Sequence, residues 1–72
     1  MKVKLRENKI KRILIRKNKS HNWLAYKVEI SSGYMSQLMD GSRNPSPKLR
    51  ERIMNILPGH EFDDLFVIKD GD

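Results

Sequence analysis

Apolar residues recur at helical spacing along most of the chain, and short groups of proline, glycine and asparagine separate them. In the first stretch they follow the i, i+3, i+4 spacing of one helix face, which predicts a helix from Leu5 to about Lys17. Ile10, Ile13 and Leu14 lie on this apolar face. The opposite face of the predicted helix is basic.

The next two predicted helices begin at serine residues. Ser20 is a good N-cap for a second, short helix, because its hydroxyl can accept a hydrogen bond from a free backbone N–H. Either Ser31 or Ser32 can cap a third helix in the same way. Asp40-Gly41 is expected to end it, since glycine tolerates left-handed backbone geometry.

Two further helices are predicted in the last part of the chain. Ser46-Pro47 combines an N-cap with a proline at the first helical position, and Pro58-Gly59 ends this fourth helix. A last short helical turn is predicted to begin near the acidic Glu61. The alternating start MKVKL allows a short strand, and Val67 with Ile68 allow a longer helix, a strand or a dimer contact. The pattern as a whole predicts an all-α domain of five helices.

The length of 72 residues indicates one small domain, with little room for an enclosed active site beside the core. We therefore do not expect an enzyme. The chain has no cysteine, which excludes disulfides and cysteine-ligated zinc and is typical of a reducing environment. Its longest apolar run has only four residues, Leu65 to Ile68, so the sequence favours neither a membrane span nor a signal peptide, and we expect the protein in the cytoplasm.

Positive charge is concentrated in one part of the sequence. The net charge is +6, but residues 1–20 contain nine cations and one anion, and the remainder is slightly acidic. A one-sided positive field attracts polyanions, of which nucleic acid is the first candidate and an anionic membrane surface the second. The simpler alternative is a lysine-rich surface that only keeps the protein in solution.

Catalytic and metal-binding patterns are weak. His21 and His60 lie 39 positions apart with no cysteine, so we expect no metal and no cofactor. Ser20 next to His21 does not make a catalytic triad, and helix capping explains the serine better. Asp63 and Asp64 fit the start of a helix, where negative charge compensates the dipole.

Residues 21–40 have the spacing of two short helices joined by a tight turn, with the small Ala25 where the helix axes come closest. Here the sequence resembles the Cro/CI-type, or XRE, family of helix-turn-helix DNA-binding domains over about residues 8–66. The resemblance is carried by Leu24-Ala25, Ile30-Ser31, Met35-Ser36, Leu38, Gly41, Arg43-Asn44-Pro45 and Asp64-Leu65-Phe66. It implies a compact five-helix lambda-repressor-like domain at residues 1–66, with the helix-turn-helix at helices 2 and 3, followed by a short tail at 67–72.

The function that this resemblance implies is sequence-specific binding of double-stranded DNA by a transcriptional regulator, a repressor of phage or mobile-element type. Helix 3 would read the major groove as part of a homodimer. The implied base contacts are Ser32, Gly33, Ser36 and Gln37, and Gln37 can pair bidentately with adenine. The implied DNA backbone contacts are Ser20, His21, Asn22, Tyr34, Arg43, Asn44, Lys17 and Lys19. The candidate dimer contacts are Leu65, Phe66, Val67 and Ile68.

Some positions depart from the family pattern. Glu29 occupies the turn position where the family usually has glycine, so we expect a strained left-handed backbone there. Leu14 and Met39 replace a common basic and acidic pair, which indicates an apolar core contact in place of an ion pair. His21 stands where the family often has glutamine, which weakens the assignment of His21 as a DNA contact.

Other functions remain open on the sequence alone. An antitoxin would combine the same DNA-binding fold with a surface that masks a partner protein. A non-specific basic protein would bind RNA or a membrane surface by charge alone. It would keep its affinity when Ser32, Ser36 and Gln37 are replaced by alanine.

Overall fold

The computed structural model describes residues 1–70, and these form five helices and one antiparallel pair of strands. The elements in chain order are β1 (Lys2–Leu5), α1 (Glu7–Arg16), α2 (His21–Lys27), α3 (Ser32–Asp40), α4 (Pro47–Ile56), α5 (Phe62–Leu65) and β2 (Phe66–Lys69). The expectation of a strictly all-α fold is therefore wrong. Small helices make up most of the domain, and the strands join its two ends.

Strand β1 pairs with β2, with Val3 opposite Ile68 and Leu5 opposite Phe66. Residues paired across an antiparallel sheet share a face, so these four side chains point to the same side, where Leu5 and Phe66 are buried. The first predicted helix starts too early, because Leu5 belongs to the strand. Residues 67–69, predicted as part of a tail, belong to β2, and residues 71–72 of that tail lie outside the described residues.

The predicted helix starts are confirmed at three caps. Each capping serine hydroxyl accepts a hydrogen bond from the backbone N–H three residues later, which satisfies one of the free donors of the first turn. The pairs are Ser20 with Trp23 at 3.1 Å, Ser31 with Tyr34 at 3.0 Å and Ser46 with Leu49 at 3.2 Å. Ser31, and not Ser32, is therefore the cap of α3.

The core receives apolar side chains from β1, from every helix and from β2. Leu14 and Met39 are both buried in it. The buried apolar residues are Leu5, Ile10, Ile13, Leu14, Leu24, Ala25, Val28, Met35, Leu38, Met39, Leu49, Ile53, Leu57, Leu65 and Phe66. Among the described residues, no helix is both long and apolar enough to cross a membrane.

Two basic side chains from the start of the chain connect distant elements. Arg6 Nε donates to the carbonyl of Asp63 at 2.7 Å and to that of Phe66 at 3.0 Å, which joins the start of α1 to α5 and β2. Lys4 Nζ donates to the carbonyl of Gly41 and so joins β1 to the end of α3. These cations hold the fold together, although the charge pattern alone had grouped them with a general basic surface.

Candidate nucleic-acid interface

A tight turn at Glu29 sets the position of α3 relative to α2. The Ile30 N–H donates to the carbonyl of Ala25 at 2.9 Å, and the Glu29 N–H donates to that of Tyr26 at 3.2 Å. This pair of bonds is the Schellman arrangement, which needs a left-handed residue after the helix cap. Glu29 supplies it with φ of 65°, so the expectation of a left-handed turn is confirmed.

One face of α3 is open to solvent and carries all four predicted base contacts. Ser32, Gly33, Ser36 and Gln37 are exposed, while the opposite side of the helix is packed into the core. Most of these exposed side chains are small. A second molecule can therefore approach the α3 backbone closely along this face, with Gln37 as its longest side chain.

Arg43, in the loop after α3, is held against Gln37 and Tyr34. Its Nε donates to Gln37 Oε1 at 2.5 Å, and its backbone N–H donates to the Gln37 carbonyl at 3.2 Å. The guanidinium carbon lies 5.0 Å from the centre of the Tyr34 ring, within cation–π range. Because arginine only donates hydrogen bonds, this contact turns the Gln37 oxygen toward Arg43 and leaves the Gln37 amide N–H groups free.

The loop that follows α3 is ordered by Asp40. Its carboxylate accepts from the Ser42 N–H at 2.8 Å and from the Ser42 hydroxyl at 2.6 Å. These bonds favour the ionised form, so they lower the pKa of Asp40 below 3.8, and the positive charge of Lys4 adds to the shift. The turn carries the chain from the end of α3 to Arg43.

The predicted backbone contacts before α2 also lie at the surface. Ser20 and Asn22 are exposed and His21 is half-buried at the start of the helix. Lys19 Nζ sits 5.4 Å from the centre of the Trp23 ring. Of the remaining predicted backbone contacts, Lys17 and Asn44 are exposed, and Tyr34 is half-buried beneath Arg43.

The candidate dimer contacts have unequal access to solvent. Leu65 and Phe66 are fully buried within the chain itself, so their side chains offer no surface to a second copy. They were grouped with Val67 and Ile68 as candidate dimer contacts because the sequence does not show which members of this apolar run are buried. Val67 is half-buried and Ile68 is 47% exposed, and these two remain as the accessible members of the predicted contact.

The link between Arg43 and Gln37 was missed by the sequence analysis, which placed Arg43 at a DNA phosphate and Gln37 at a base as separate contacts. Their separation of six residues spans the end of a helix and a turn, so no periodic pattern indicates it. Within residues 1–70, no three histidine, cysteine or acidic side chains are grouped so that they could hold a metal ion. No protein-family model, curated protein or solved structure matches this chain at a significant level.

Proposed function

We propose that this protein binds double-stranded DNA sequence-specifically, with α2 and α3 as a helix-turn-helix and the exposed face of α3 in the major groove. It would act in the cytoplasm as a transcriptional regulator, a repressor of phage or mobile-element type. The observation that carries the proposal is the exposed, small-residue face of α3, on which Arg43 fixes the orientation of the Gln37 amide.

Gln37 is suited to reading adenine. In a bidentate pair the glutamine oxygen accepts from the adenine N6 amino group, and the glutamine amide donates to N7. Arg43 uses one acceptor site of Gln37 Oε1, and a carbonyl oxygen has a second. The amide group therefore remains able to make both bonds, and its orientation is set before DNA arrives. Such preorganisation reduces the ordering cost of binding.

DNA phosphates would be held by groups at the start of α2, on α3 and in the loop after α3. Ser20, His21 and Asn22 lie together at the start of α2, where hydroxyl and amide donors can reach a phosphate oxygen. Lys17 and Lys19 add positive charge just before them in the chain, Tyr34 lies on α3, and Arg43 and Asn44 lie in the loop after it. A second copy of the chain on a half-site about one helical turn away, roughly 34 Å, would double the sequence that is read.

The experiment that tests this proposal is selection from a pool of random DNA duplexes at about 150 mM salt, where exposed charges are well screened. We expect enrichment of a palindromic motif with a fixed half-site spacing. Retention of DNA without any enriched sequence would contradict the proposal and favour a non-specific basic protein. A motif without symmetry would contradict the homodimer alone.

Replacement of Gln37 and Arg43 then tests the reading mechanism on the selected site. For Gln37→Ala we expect a loss of about 1–3 kcal/mol of discrimination at one base pair. Arg43→Lys keeps the charge but not the planar donor set, so it should reduce discrimination at that same base pair more than it reduces overall affinity.

The matched control is Lys48→Ala, which removes an exposed cation on α4 outside this face. It should leave the base preference as in the wild type. If Gln37→Ala also leaves the preference as it is, α3 does not read the DNA through Gln37 and the assignment is wrong.

A further inference from the structure

A second cationic site lies between α1 and α5. Lys9, Arg12 and Arg16 follow one another along α1 at spacings of three and four residues, which brings them to the same side of the helix. Together with His60 and Asp64 they line a recess of about 180 Å³. None of the residues proposed to contact DNA lines it, so it is a separate surface.

The cations of this recess have no acidic partner within the part of the chain that the structure describes. No ion pair or side-chain hydrogen bond joins Lys9, Arg12 or Arg16 to any residue in positions 1–70. Asp64, at the edge of the recess, uses its Oδ2 to accept the Glu61 N–H at 2.9 Å. Like charges held at one place repel each other until an anion neutralises them.

The dimensions indicate how large that anion can be. The recess volume of about 180 Å³ leaves room for one or two phosphate groups, and it is less than the roughly 300 Å³ at which sites for drug-sized ligands begin. Buried Ile13 and half-buried His60 form part of the lining, and the side chains of Lys9, Arg12 and Arg16 are exposed.

We propose that this recess binds a small anion that carries one or two phosphate groups. Arg12 and Arg16 present planar guanidinium groups, which match phosphate oxygens with pairs of parallel hydrogen bonds. Lys9 adds a point charge, and His60 adds a ring N–H donor from the loop before α5. The carboxylate of Asp64 repels the anion, but the three cations of the recess outnumber this one negative charge. The proposal does not depend on DNA binding.

The test is a titration of the whole protein with sodium pyrophosphate, followed by the NMR shifts of backbone amides and arginine side chains. The reference is sodium chloride at the same ionic strength, near neutral pH. We expect saturable shifts confined to residues 9–16 and the region of His60. Arg12→Gln should weaken binding about tenfold, because it removes one charge-assisted contact. Arg16→Gln serves as a second variant should the first alter the fold.

The matched control is Lys48→Gln, which removes an exposed cation on α4 and should leave the affinity for pyrophosphate unchanged. Shifts that chloride reproduces, or equal affinity in wild type and both arginine variants, would overturn the proposal. A short DNA duplex that shifts the recess more strongly than it shifts α3 would also overturn it. That outcome would assign the recess to DNA binding. If only the selection from random DNA duplexes fails, the proposal of a phosphate-binding recess is unaffected.

Discussion

Glu29 and Gly33 show how single residues depart from what local conformational preference favours. Glu29 takes the left-handed conformation that glycine adopts freely, with φ of 65°. Gly33 lies inside α3 with an ordinary helical backbone, where glycine is the weaker helix former. One residue is strained and the other is more flexible than its position needs. Gly33 lies on the face proposed to contact DNA, and Glu29 lies in the turn before α3.

Replacing Glu29 with glycine should stabilise the protein. The left-handed region costs a residue with a Cβ about 1–2 kcal/mol, and glycine would avoid this cost. Part of the resulting gain in stability is lost, because glycine has greater conformational freedom in the unfolded chain. We expect a net increase of about 1 kcal/mol in the free energy of unfolding, measured by urea denaturation. Glu51→Gly, at an exposed position inside α4, is the control and should lose about 1 kcal/mol. A less stable Glu29→Gly protein would show that the Glu29 side chain makes a favourable contact in the fold.

The Gly33→Ala substitution should change the stability of the fold and the affinity for DNA in opposite directions. A Cβ at this position would have the Ser31 hydroxyl oxygen as its nearest neighbour, at 4.0 Å, so there is room for it. We expect stability to rise by as much as about 1 kcal/mol, because alanine is the better helix former. DNA affinity should fall nevertheless, since the added methyl group faces the proposed DNA surface. Gel-shift titration measures this, and unchanged affinity would mean that the start of α3 does not approach DNA closely.

At the scale of elements, α3 is held at both ends by groups from outside the helix. Ser31 caps its first turn, and Gly41 ends it in a left-handed conformation with φ of 85°. Lys4 of β1 binds the Gly41 carbonyl, so the sheet contributes to the position of the proposed reading helix. Asp40 adds the hydrogen bonds to Ser42 that order the following turn.

The lowered pKa of Asp40 makes this end of α3 sensitive to acid. Because the folded pKa lies below the unfolded value of 3.8, the ionised carboxylate stabilises the fold at pH values above 3.8. That contribution is lost as the pH falls through the folded pKa. We expect the stability advantage of the wild type over Asp40→Asn to shrink as the pH falls from above 3.8 to below the folded pKa. Denaturation curves at a series of pH values measure it, and a constant difference would contradict the assignment.

For the whole molecule, the two proposals divide the positive charge between two surfaces. Lys17, Lys19 and Arg43 belong to the proposed DNA-binding surface, while the recess cations lie along α1. The described chain measures 36 × 25 × 20 Å along its principal axes. The two shorter dimensions are below the rise of one turn of DNA, roughly 34 Å, so two copies fit on successive half-sites when one of these shorter axes lies along the DNA.

The salt dependence of DNA binding should distinguish the cations proposed to contact DNA from the cations of the recess. Neutralising one phosphate changes the slope of log K against log salt by about 0.9, so three contacting cations predict a slope near −2.7 for each copy. Lys17→Gln should reduce the magnitude of the slope by about 0.9 per copy. Lys9→Gln, in the recess, is the matched control and should leave it unchanged. Equal effects of the two substitutions would mean that charge acts without a defined DNA-binding face.

Most of the helices and their ends could be predicted from short sequence signals. A serine before an apolar run and a proline or glycine at its limit act within one turn of the backbone, so Ser46-Pro47 and Gly41 could be interpreted without any distant contact. The exposed face of α3 follows from the same periodicity, because Met35 and Leu38 must face the core. The left-handed turn at Glu29 was predicted from a family resemblance.

The sheet, the pairing of Arg43 with Gln37, and the recess between α1 and α5 could not be predicted in this way, because they depend on tertiary contacts. The two strands have four residues each, and their partners lie at opposite ends of the chain. Arg6 likewise meets the carbonyls of Asp63 and Phe66 across almost the whole sequence. Hydrophobic periodicity reports which side of an element is buried, but it contains no information about which distant element covers that side. Contacts between distant residues form only when the core brings their elements together, and they decide which cations support the fold and which remain available to a ligand.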